Sequence, residues 1–142
     1  MDAVKFAKVE DRVERSDATG NGSSLHLDAL SGVWFNTNKA SQGIVKVIVT
    51  LHGSKIILRV YGAGDSGPFD WGEVEAEHIY AGNMGSHTAA GLTASYHFDF
   101  SDVQLQANWN QGLLVLASFT SFKDASNRSN YFSREFFHSA AS

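Results

Sequence analysis

The stretch Ile44-Val45-Lys46-Val47-Ile48-Val49-Thr50-Leu51-His52-Gly53-Ser54-Lys55-Ile56-Ile57-Leu58-Arg59-Val60-Tyr61-Gly62 decides the fold. Two runs rich in Val, Ile and Leu flank a Gly-Ser pair, and β-branched residues fit a pleated, half-buried surface. Gly53-Ser54 suits a two-residue type II′ turn, because Gly tolerates the positive φ its first position needs. That turn sets Leu51 against Ile56, Val49 against Leu58 and Val47 against Val60. Every facing pair is apolar. A slip of one residue would turn all of them outward, so the pattern specifies the register.

Working outward, the same text of short apolar runs and polar turns covers residues 32–36, 43–51, 55–62, 72–80, 91–100, 103–110, 113–122 and 130–138. Ser101-Asp102 as a two-residue loop sets Phe98 against Leu105, Tyr96 against Ala107 and Ala94 against Trp109. Thr93, Ser95, His97, Gln104, Gln106 and Asn108 then share the opposite face. The turn at Gln111-Gly112 leaves two registers open for 113–122. One buries Val115, Ala117 and Phe119, the other Leu114 and Leu116. Both faces of that strand are partly apolar, and one of them is a candidate contact with a second copy in a homo-oligomer. Successive short linkers favour a meander, and closure removes exposed edges. The expected fold is therefore all-β, a single eight-stranded antiparallel up-and-down barrel. A two-sheet sandwich competes, but it usually needs crossing connections.

The chain has 142 residues. By surface scaling it would fold to roughly 7,000 Å² of surface from an extended roughly 22,000 Å². That supports one core. Charge is concentrated at the start: residues 1–17 hold nine charged side chains, and the remainder holds seventeen. A polar segment follows at 17–24, so residues 1–28 read as a flexible or loosely docked arm and 29–142 as the barrel domain. No apolar run reaches the length of a membrane-spanning helix. The charged first residues do not read as a signal peptide, so the expected localisation is cytoplasmic. The chain has no Cys, which removes disulfides, thiol redox chemistry and a Cys nucleophile. Net charge is −4 without a basic stripe, so nucleic acid and membrane are not expected partners.

In an up-and-down barrel the connections alternate between ends. Residues 37–42, 63–71, 101–102 and 123–129 fall at one end, the candidate mouth. The longest of these loops carries Gly hinges with Phe69, Asp70 and Trp71, and reads as a lid.

Gly32-Val33-Trp34 opens the first strand and Arg134 sits in the last. This pairing resembles the calycins, the lipocalin- and avidin-type barrels, in which a basic residue of the last strand covers the Trp of a Gly-x-Trp. The resemblance spans residues 30–138 and implies a barrel with a pocket. It supplies no ligand. The chain departs from classical lipocalins in having no Cys, and neither a signal nor a C-terminal helix is expected from its sequence.

The run 72–80 alternates Glu73, Glu75 and Glu77 with Val74, Ala76, His78 and Tyr80. Three unpaired carboxylates belong in solvent, so alternation sends His78 and Tyr80 inward. A lumen His can orient a ligand or move a proton near neutral pH; a buried His satisfied by a backbone carbonyl is the competing reading. Tyr96, Phe98, Trp109 and Phe119 join the expected ligand wall with Trp34, and Arg134, between Phe132 and Phe136, reads as inward, either stacked on Trp34 or paired with a ligand carboxylate or phenolate. No HExxH, P-loop, nucleophile elbow or dinucleotide fingerprint occurs, so no cofactor and no metal is expected.

Three functions follow. The first is a small-molecule-binding barrel for an apolar or aromatic ligand. The second is a cofactor-free cyclase or isomerase in which His78, Tyr80 or Tyr96 does acid–base work. The third is a carbohydrate or protein interaction module using the loop aromatics Phe69 and Trp71. Binding ranks first, because no acid–base pair is compelled by the sequence.

Overall fold

A computed structural model describes residue 8 and residues 25–140. The arm expected over residues 1–28 lies outside the described residues up to residue 24, apart from Lys8. Its last part, from Leu25, is docked: His26 forms a bridge with Thr88, its N–H donates to the His87 carbonyl at 2.8 Å, and Leu27 is buried.

A 3-10 turn, Asp28–Leu30, leads into nine strands. They are β1 (Gly32–Asn36), β2 (Ile44–His52), β3 (Lys55–Gly62), β4 (Phe69–Glu75), β5 (His78–Ala81), β6 (Ala89–His97), β7 (Ser101–Asn110), β8 (Leu113–Phe122) and β9 (Tyr131–Ser139). All pair antiparallel in one curled sheet of order β4-β3-β2-β1-β9-β8-β7-β6-β5, a half-barrel. The eight-stranded closed ladder expected from the sequence is corrected at one place. The run 72–80 is two strands, and they form the two edges of the sheet. Ala76 N–H still bonds the Ile56 carbonyl of β3 at 2.8 Å, whereas Glu77 N–H bonds the Thr93 carbonyl of β6 at 2.7 Å. The chain changes neighbour between two consecutive residues.

The β2–β3 hairpin has the expected register, with Leu51 opposite Ile56, Val49 opposite Leu58 and Val47 opposite Val60, around a Gly53 at φ +64°. In the β6–β7 hairpin the two-residue turn lies two residues earlier in the chain than expected. Phe98 N–H donates to the Ser101 carbonyl at 2.8 Å, so Asp99-Phe100 is the loop and Tyr96 faces Val103. The partner moves by an even number of residues, so every side chain keeps its face. At β7–β8, Asn110 faces Leu113 across Gln111-Gly112, both at positive φ, as in a type I′ turn. This turns Leu114 and Leu116 inward, both buried.

The inner face is one contiguous apolar cluster. Val47, Val49, Ile56, Leu58 and Val60 meet Leu92, Ala94, Val103, Leu105, Leu114, Leu116 and Phe137, with Trp34 and Leu30 among them. The interior of a small curled sheet is just wide enough for side chains to fill it.

Candidate functional site

The loops 37–43, 63–68, 98–100 and 123–130 gather at one end of the sheet, the end expected as the mouth. A cavity of about 550 Å³ opens there. The strand ends that line it turn from apolar to polar. Ser118 and Thr120 of β8 and Tyr131, Ser133 and Glu135 of β9 continue the inner face above Leu116 and Phe137.

Glu135 is the centre of this arrangement. Its Oε1 accepts a hydrogen bond from the Ser41 hydroxyl at 2.9 Å, and its Oε2 accepts one from Asn36 Nδ2 at 2.9 Å. Asn36 is itself buried. Its Nδ2 also donates to the Ile44 carbonyl at 2.8 Å, and its Oδ1 accepts from the Asn38 N–H at 2.8 Å. Ser41 Oγ in turn accepts from the Gly43 N–H at 3.1 Å. One side chain at the end of β1 therefore shapes the whole returning loop and aims the carboxylate. Beside it, the Ser118 and Ser133 hydroxyls share a hydrogen bond of 2.7 Å across β8 and β9. Among the described residues, no Lys or Arg lines the cavity and Glu135 has no cationic partner.

Trp71 forms the aromatic wall, and a β-bulge puts it there. Asp70 faces Tyr61 and Glu73 faces Arg59, so Trp71 and Gly72 together oppose Val60. Gly72 sits at φ +84°. A bulge bends its strand and re-aims a side chain. The bulge is pinned by Asp70, which accepts from the Gly72 N–H at 2.8 Å and from Arg59 Nε at 3.0 Å. The Arg59 bonds, then the Gly72 N–H, hold the Asp70 carboxyl below the usual carboxylate range. Trp71 meets Tyr96 and Phe98 edge-on, with ring centroids 5.4 Å away in both cases. It also fills the space over Gly62, where a Cβ would lie 2.7 Å from Trp71 Nε1.

The residues expected to line one lumen fall in three places. Trp34 and Tyr96 lie inside, with Phe98 packed partly against them. The Trp34 indole N–H donates to the Leu30 carbonyl at 3.0 Å. The Tyr96 hydroxyl donates to the Gly72 carbonyl at 2.6 Å, tying β6 to β4, and burial pushes its pKa up to about 12. Trp109 sits at the far end of β7, half exposed. The rest face outward, which corrects the expected alternation. His78 pairs with Thr93, and Tyr80 with Gly91, on the outer face, because the neighbour change at Ala76–Glu77 slips the alternation by one residue. Ile79, opposite Leu92, is the side chain that turns inward. Arg134 lies opposite Ala117 on the outer face with Phe119, Phe132 and Phe136. It covers the Phe136 ring at 5.9 Å and does not stack on Trp34. His78, Tyr80 and Tyr96 are thus on two sides of the sheet and form no common acid–base group. The expected lid is also corrected: Phe69, Asp70 and Trp71 belong to β4, and only 63–68 is loop.

The sequence reading missed Glu135, Asn36 and Ser41. The available signal was the parity of β9. Phe136 and Phe137 are adjacent, so either face of that strand looks apolar. Phe137 is the one opposite Leu114 and Asn36, and it takes Glu135 and Ser133 inward with it.

The fold and the mouth together describe an all-β, antiparallel up-and-down sheet with a polar cavity at one end. In comparison with known proteins, no family model, no curated protein and no solved structure matches the chain. No helix among the described residues is long and apolar enough to cross a membrane.

Proposed function

We propose that this chain binds a small molecule at the mouth of its curled sheet, and that the ligand is rich in hydrogen-bond donors: a polyol or a small amine. The observation that carries this reading is Glu135, a carboxylate facing inward on the cavity wall, oriented by Asn36 and Ser41 and without a counter-charge among the described residues. Each carboxylate oxygen already accepts one bond and keeps capacity for another. Hydroxyls of Ser118, Thr120 and Ser133 stand around it, and Trp71 and Tyr131 supply ring faces. An aromatic face beside a few oriented polar groups is the usual composition of a small-molecule site. A ring face also attracts an ammonium group.

This reading keeps the small-molecule-binding function expected from the sequence and moves the ligand from the lumen to the mouth. The apolar cluster on the inner face supports that move. The calycin-type barrel is the finer description that goes with it, resting on Gly32-Val33-Trp34 in the first strand, while the sheet itself is an open half-barrel with β4 and β5 at its edges.

The test is a saturation-transfer NMR panel of monosaccharides, amino sugars and short diamines, alongside a native mass spectrum of the freshly purified protein. One class should bind, and Glu135→Leu and Trp71→Ala should each weaken it tenfold or more. Glu135→Gln should spare a polyol and lose an amine. Unchanged binding in both Glu135→Leu and Trp71→Ala overturns the proposal.

A further inference from the structure

A second concavity lies away from the mouth, on the outer face of β5–β9, where a curled sheet is ordinarily convex. Its volume is about 840 Å³. The register explains it. One cross-strand row runs His78, Thr93, Gln106, Ala117, Arg134, and the next runs Tyr80, Gly91, Asn108, Val115, Phe136. Gly91, beside Tyr80, and Ala117, beside Arg134, are the small positions inside the two rows, with Gln106 and Asn108 of β7 between them and larger side chains at both ends. Gly91 is itself required by packing, since a Cβ there would lie 2.9 Å from the Ala107 carbonyl oxygen. The trough between Tyr80 and Arg134 is therefore built into the sheet.

Its charge is opposite to that of the mouth and of the chain. Among the described residues, Arg134 is the only charged side chain lining it, on a protein of net charge −4. No carboxylate pairs with Arg134 among the described residues, and its guanidinium makes no hydrogen bond there; it lies only over the Phe136 ring. A guanidinium presents a planar fork that matches a carboxylate bidentately. Further donors, the amides of Gln106 and Asn108 and the hydroxyl of Thr93, lie along the floor, and Val115 and Ala117 give it an apolar strip.

We infer that this outer trough binds a small organic carboxylate carried on a flat apolar body, with the carboxylate on Arg134 and the body over Val115 and Ala117. The site is separate from the mouth and does not depend on the function proposed there.

The probe is 2-naphthoate, titrated into the ¹⁵N-labelled full chain and followed by amide shifts, with neutral 2-naphthamide as the control. The expected result is saturable shifts at Gly91, Thr93, Gln106 and Ala117. Binding should weaken tenfold or more for the amide, for Arg134→Gln and for Ala117→Leu, which fills the trough and leaves the charge in place. Added salt should weaken the wild type and leave Arg134→Gln unaffected. Arg134 is exposed, so the variant's spectrum away from the trough should match the wild type. Naphthoate that binds Arg134→Gln within twofold of the wild type overturns the inference. So does naphthamide binding equally well, or shifts confined to the mouth loop 37–43.

Discussion

Asn36→Ala should be among the most damaging single changes at the mouth. The side chain is buried and makes three hydrogen bonds, to the Ile44 carbonyl, the Asn38 N–H and the Glu135 carboxylate. A neutral bond contributes about 1 kcal/mol and one to a charged group about 1.5–3 kcal/mol. Glu135 is half-buried and keeps its Ser41 bond, so water recovers part of the loss. The net destabilisation is about 3 kcal/mol, which for a chain of this size lowers Tm by about 10 °C. Urea unfolding followed by circular dichroism measures it, with the m-value unchanged as the sign that only the native state was altered. Asn36→Asp is the informative companion. It keeps the acceptor for the Asn38 N–H but sets a carboxylate against Glu135 Oε2, 2.9 Å from where the amide nitrogen was. Two carboxylates at that distance raise the pKa of the pair, because both cannot ionise cheaply. Stability of Asn36→Asp should therefore fall as pH rises through that raised pKa and recover in acid. A loss below about 1 kcal/mol in Asn36→Ala, the size of one bond, would refute the view that this residue organises the loop.

Gly62→Ala places a methyl against the Trp71 indole and should cost about 1–3 kcal/mol by overpacking, with Trp fluorescence shifting to the red as the ring is pushed into solvent. In an alkaline titration read at the phenolate absorbance, Tyr96 should ionise last, near the value of about 12 that burial imposes. Its folded pKa lies above the unfolded one, so its contribution to stability is complete below pH ~10 and is lost as pH rises towards 12. Tyr96→Phe, which strands the Gly72 carbonyl, should lower stability by about 1–2 kcal/mol, read by urea unfolding. Gln111, at φ +52° in the β7–β8 turn, pays for a conformation that Asn or Gly adopts freely. Gln111→Asn should raise stability by about 0.5–1 kcal/mol, seen as a higher urea midpoint.

The parts of this fold that were legible in sequence are those with one apolar face and a turn of known chemistry. The β2–β3 register follows from Gly53-Ser54 and three apolar pairs, and the long loops gather at one end of the sheet as expected. Alternation alone does not say which strand is the neighbour. Glu73, Glu75 and Glu77 look uninterrupted, and nothing in them marks the step from Ile56 to Thr93 that reverses the side-chain phase before His78. The β9 parity failed for a different reason. Phe132 and Phe136 outnumber Phe137, yet they are exposed and Phe137 is fully buried. The carboxylate of the candidate site was missed with it, because a polar residue on an inner face is justified only by partners from another element, here Asn36 and Ser41 nearly a hundred residues away.

The sheet is unevenly stitched. Residues 32–75 form one four-strand meander and residues 78–139 a five-strand one. Between them, among the described residues, β1 and β9 share three paired positions, Trp34 with Ser139, Phe35 with His138 and Asn36 with Phe137, extended by one backbone bond at each end, Thr37 N–H to the Phe136 carbonyl and Ala140 N–H to the Val33 carbonyl. On the other side the chain crosses at Ala76–Glu77 with one backbone bond to each half. Each meander can thus behave as a cooperative opening unit of its own, with hydrogen exchange fastest along the two joints. The mouth straddles the β1–β9 joint, taking Asn36 and Ser41 from one half and Glu135 from the other. A ligand seated there would act as a rivet between two leaves. By mass action its occupancy would slow exchange at Trp34 and Phe137, two residues below Asn36 and Glu135 along the joint.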